Sequence, residues 1–151
     1  MISENLYLAG EELKRVDHLI YVSLKYTRTA DVIHSVVARM VETYNFFSIG
    51  LLEKLKENNK IEEVPKAPRI QINLLKEQFS DQEEFCKTLD FYLFLRKVKL
   101  AQYTGTQEFR RKVTMHIKLD DEPVEITIDS VMEYYKTTLD FLDFIKTKEL
   151  I

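Results

Sequence analysis

Few residues in this chain carry chemistry. The stretch Arg111-Lys112-Val113-Thr114-Met115-His116 sets a guanidinium and an imidazole apart by four residues. An imidazole can move protons near neutral pH, and a guanidinium can steady negative charge on a phosphate. Asp31-x-x-His34 places a carboxylate and an imidazole at i, i+3 on one helix face, the spacing used by metal sites in helical bundles, and Asp17-His18 stands on the preceding helix. Such sites need further inward-pointing carboxylates, and Asp31 already suits the dipole of a first helical turn. A third group is aromatic and basic: Phe85, Phe91, Tyr92, Phe94 and Tyr103, with Arg96, Lys97 and Lys99 among them. Rings beside cations can hold a single-stranded nucleic acid, but at helical spacing they are expected to be core. The lone Cys86 follows Phe85 on an apolar helix and is expected to pack. With only Gly10, Gly50 and Gly105, a glycine-rich phosphate loop is excluded, and no cofactor is expected.

The elements that must position these groups are mostly helices. Leu13, Val16, Ile20 and Leu24 predict a helix over residues 11–26. Thr29 is a good N-cap for a second helix over 30–58. Along it Ile33, Val37, Met40, Tyr44, Phe47 and Leu51 step by three and four, a near-heptad seam that serves either as core or as a dimer seam. Asn58-Asn59, Pro65 and Pro68 break the chain, and residues 70–78 can form a short helix. Ser80 and Glu83 form a capping-box pattern for a helix to about Ala101, ended by Tyr103-Thr104-Gly105. The segment Leu89–Leu95 is apolar nearly all round, as in a helix buried on most sides.

The period then changes. Val113, Met115, Ile117 and Leu119 alternate with Thr114, His116 and Lys118; Asp120-Asp121-Glu122-Pro123 reads as a four-residue turn; Val124, Ile126 and Ile128 alternate again. This predicts a β-hairpin over about 113–128, with His116 on its solvent side. Asp129 or Ser130 then caps a last helix to about Lys148, with Val131, Tyr135, Leu139, Leu142 and Ile145 as its stripe. The fold class is therefore mainly α: a helical bundle of about four long helices with one β-hairpin before the C-terminal helix, as a single domain over 1–151.

Composition bounds the rest. The chain has 151 residues, 45% hydrophobic and 31% charged, which is the balance of a globular domain. A net charge of −3 supplies no global attraction to nucleic acid. No apolar run is long enough for a transmembrane helix. Met1-Ile2-Ser3-Glu4-Asn5 has no basic stretch leading into an apolar core, so no secretory signal is expected, and a cytoplasmic location is. The Lys and Glu bias suits exposed helices and is also reported for thermophile proteins.

The Arg-x4-His pattern of Arg111 and His116 resembles the signature of the HEPN family, small helical bundles that include RNA-cleaving toxins. The likeness rests on six residues together with chain length and helicity. It implies that Arg111 and His116 act as a catalytic pair at a phosphodiester, across a dimer, with RNA as the substrate. The reading favoured by the residues themselves is different. The seam and the apolar helix after it carry more hydrophobic surface than a short bundle covers, which predicts a non-catalytic interaction and assembly protein that self-associates as a homodimer or engages a protein partner, without a membrane. An HEPN-like ribonuclease or toxin-type protein using Arg111 and His116 is the alternative. A metal-binding bundle using Asp31 and His34 is the second.

Overall fold

The computed structural model describes residues 4–150. Met1, Ile2 and Ser3, part of the stretch read above for a secretory signal, lie outside the described residues. The spine is α3 (Ala30–Glu57), which begins where Thr29 Oγ1 accepts the Val32 backbone N–H at 3.2 Å. All six seam residues, Ile33, Val37, Met40, Tyr44, Phe47 and Leu51, are 0–1% exposed within the single chain. The seam is therefore intrachain core. It packs chiefly against α1 (Glu4–His18) and also against α4 (Pro68–Gln78), α5 (Glu83–Leu100) and α6 (Ile128–Thr147). A π-helical turn (Leu19–Ser23) and α2 (Leu24–Tyr26) carry α1 on towards α3. Among the described residues no helix is long and apolar enough to cross a membrane.

The architecture is mainly α with a small antiparallel sheet before the C-terminal helix, as the patterning predicts. Several local expectations need correction. The first helix starts at Glu4 rather than near residue 11, because Leu6 and Ala9 continue the buried stripe of Leu13, Val16 and Ile20. The Ser80–Glu83 pattern makes no capping box: α5 starts at Glu83 behind Gln82, with no side-chain cap. The true box lies at α6, where Thr127 and Ser130 bond each other's backbone N–H at 3.2 and 3.0 Å, so neither Asp129 nor Ser130 is itself the N-cap. On α6 the buried face is Val131, Tyr135, Thr138, Phe141 and Ile145, while Leu139 is 39% exposed. Phe141 takes the inward position because it meets Tyr44, Phe47 and Phe85 at ring-centroid distances of 5.4–5.5 Å.

The sheet has three strands, not two: β1 (Thr104–Thr106), β2 (Thr114–Leu119) and β3 (Glu122–Thr127), in that spatial order. The turn after β2 is two residues, Asp120 and Asp121, both at positive φ (52° and 66°), as a type I′ hairpin requires. Aspartate tolerates that conformation better than most side chains. The shorter turn moves the register by two residues from the four-residue expectation and sets His116 opposite Glu125. Pro123 falls on the edge strand, where its missing N–H costs no ladder bond.

β1 lies close against the start of α3. A Cβ added at Gly105 would sit 2.8 Å from the Ala30 Cβ and clash with Glu108 Oε1. Glu108 itself accepts the Ala30 backbone N–H at 3.2 Å. Gly105→Ala is expected to lower stability by about 1–3 kcal/mol, the usual range for overpacking. Urea unfolding checks this, and an unchanged midpoint would mean that β1 is not held there.

Candidate functional site: the open face of the small sheet

Strand alternation sorts the sheet. Val113, Met115, Ile117 and Ile126 are buried on the helices. Thr114, His116 and Lys118 therefore share the opposite face with Pro123, Glu125 and Thr127. Two hollows open along it. One, of about 630 Å³, is lined by Tyr103, Thr104, His116, Lys118 and Glu125 among others. The second, of about 580 Å³, is lined by Arg28, Arg111, Lys112, Thr114, Thr127 and Asp129 together with Ile128.

His116 is held in place by both neighbouring strands. Its Nε2 lies 2.6 Å from Thr106 Oγ1 on β1, and its Nδ1 lies 3.8 Å from Glu125 Oε1 on β3. The first is a hydrogen bond. The second is too long for one, so Glu125 acts only as a nearby negative charge. Hydroxyl, imidazole and carboxylate thus form a row across three strands, and the imidazole is half-buried rather than free. Arg111 lies in the stretch entering β2 and lines the other hollow. The two groups share a sheet face but are not brought together at one point, because the backbone is extended between Thr114 and His116.

Asp31 and His34 are both engaged elsewhere. Asp31 Oδ1 accepts from the Tyr103 hydroxyl at 2.6 Å, and this bond raises the Tyr103 pKa above its ordinary value. The Tyr103 ring stacks on His34 at 4.8 Å. His34 Nε2 lies 2.9 Å from the Lys99 carbonyl oxygen, which can only accept, so that nitrogen carries the proton. The pair ties the start of α3 to the end of α5. Among the described residues no group of three or more His, Cys, Asp or Glu side chains is placed to hold a metal ion.

The aromatic run divides. Phe85 and Tyr92 are buried, while Phe91 and Phe94 meet the Tyr134 ring at 5.4 and 6.0 Å. These four rings are packing groups. The half-buried Cys86 points its Sγ at the Phe79 and Lys76 carbonyls, at 3.4 and 3.9 Å.

Three residues around these hollows escape a reading by periodicity, Thr106, Arg28 and Asp129, whereas the alternation with Val124 and Ile126 already sets Glu125 on the solvent side. Thr104-Gly105-Thr106 has no apolar residue to mark an alternation. Arg28 reaches the hollow from a link more than eighty positions before Arg111, which no local pattern can announce. Glu125 was open to inference, since two consecutive aspartates suit a two-residue turn and that turn sets its register. No known protein family, curated protein or solved structure matches this chain.

Proposed function

We propose that this chain is a non-catalytic helical interaction and assembly protein that pairs with a second copy of itself. The observation that carries this reading is an apolar cluster left uncovered where the π-helical turn meets α6. Tyr21 sets its ring edge-on to Tyr135, at 6.4 Å between centroids and 64°. Met132 and Leu139 flank Tyr135 at i−3 and i+4 on the same helix face. Tyr21, Met132 and Leu139 are 53%, 40% and 39% exposed. The α3 seam is consumed inside the chain, so self-association needs another apolar surface, and this face supplies one. A two-fold axis would bury the same patch twice.

Sedimentation velocity tests the reading. The wild type is expected to be a dimer at tens of micromolar. The double variant Tyr21→Glu/Leu139→Glu buries two unpaired charges if it dimerises, and its dissociation constant is expected to rise by more than about a hundredfold. Its circular dichroism should be unchanged, since both positions are exposed. A wild type that stays monomeric at high micromolar concentration overturns the proposal.

A further inference from the structure

The hollow around Arg111 holds an excess of positive charge. Among the described residues Arg28, Arg111, Lys112 and Asp129 form no ion pair and no side-chain hydrogen bond. Three cations and one carboxylate therefore face a concavity of about 580 Å³, on a protein whose net charge is −3. The loop beside it is firmly placed. The Phe109 N–H donates to the Arg28 carbonyl oxygen at 2.6 Å, and Glu108 accepts the Ala30 N–H. Phe109 sits at φ 64°, an uncommon conformation for a bulky side chain, and is 73% exposed. A pinned loop thus carries an uncovered ring whose backbone is tied to that of Arg28, one of the residues lining the hollow.

We propose that this hollow docks an acidic peptide segment of another protein. Arg28 and Arg111 take its carboxylates through their planar forks, and Lys112 adds a point charge. Asp129 meets a backbone N–H or a basic group of the same segment. Phe109 covers an apolar side chain at the rim. The mixed charge selects this ligand. A uniform polyanion such as a nucleic acid strand would run its phosphates past the Asp129 carboxylate. The proposal rests on the reading of the chain as an interaction protein and names its second kind of partner.

Isotope-labelled protein titrated with a short peptide of alternating glutamate and glycine is the test, with amide shifts read by NMR. Saturable shifts are expected at Arg28, Arg111, Thr114, Thr127 and Asp129. Arg28→Gln/Arg111→Gln is expected to weaken binding at least about tenfold, as loss of charge-assisted hydrogen bonds does. No saturable shift at millimolar peptide overturns the proposal. So does equal binding of the matching glutamine peptide, or tighter binding of an oligouridylate strand or of anionic lipid vesicles. Sedimentation of the same samples separates the two proposals. An intact dimer without peptide binding defeats this one alone, and a monomer that still binds the peptide defeats only self-association.

Discussion

Tyr44→Ala is expected to cost about 3–5 kcal/mol of folding stability, the range for truncating a large buried ring. Tyr44 is fully buried at the middle of α3, and its ring meets Phe47, Phe91, Tyr92 and Phe141 at 5.5–6.3 Å. Its neighbours belong to α3, α5 and α6, so a cavity there loosens three helices at once. The hydroxyl contributes far less. It shares a hydrogen bond with Thr138 Oγ1 at 3.0 Å, and Thr138 Oγ1 also lies 2.9 Å from the Tyr134 carbonyl oxygen, to which it can donate. Tyr44→Phe leaves that second bond in place and should cost only about 1 kcal/mol. Denaturant unfolding of the two variants separates ring from hydroxyl. Domains of this size are stable by about 5–15 kcal/mol, so the alanine variant should lie close to its unfolding threshold. Equal costs for the two substitutions would contradict the packing account.

The protein is expected to unfold cooperatively as pH rises through about 10 to 12. Burial, with the Asp17 carboxylate that accepts its hydrogen bond at 3.0 Å, pushes the Tyr135 hydroxyl up to about 12. Burial also raises Tyr44, Tyr92 and Tyr134, and the bond to Asp31 raises Tyr103. Tyrosine in an unfolded chain loses its proton near pH 10. Above that value the unfolded chain holds fewer protons than the folded one. The stabilisation is therefore complete below about pH 10 and is lost as pH climbs through the folded values. Helical circular dichroism should be lost in one step over that range, and Tyr135→Phe should shift the step upward. Helices that persist unchanged well above pH 12, or a Tyr135→Phe variant with an unchanged midpoint, would refute the expectation.

Much of this fold is legible residue by residue, and the reason is local. Thr29 caps α3 because a hydroxyl can reach an N–H three positions on. The step of three and four from Ile33 to Leu51 marks a buried face because 3.6 residues make a turn. Alternation from Val113 to Ile117 marks one covered face of a strand. Where two local signals compete, the chain settles the matter by burial. Phe141 rather than Leu139 turns inward because a cluster of rings is there to receive it. Ser80 lost its cap role because α5 starts behind Gln82 instead.

The candidate site behaved differently. Arg111 and His116 are visible as types and spacing, but their partners come from elsewhere: Thr106 and Glu125 for the imidazole, Arg28 and Asp129 for the guanidinium. Those neighbours depend on strand register and on a link folded against the end of the sheet. The amino-acid order alone settles where the long helices and the β2–β3 pair lie and the apolar face of α3, because backbone period and side-chain burial act over a few residues. Whether the α3 seam closes within one chain, and which charges share a hollow, is decided only when distant segments pack, since neither burial nor Coulomb energy depends on separation along the chain.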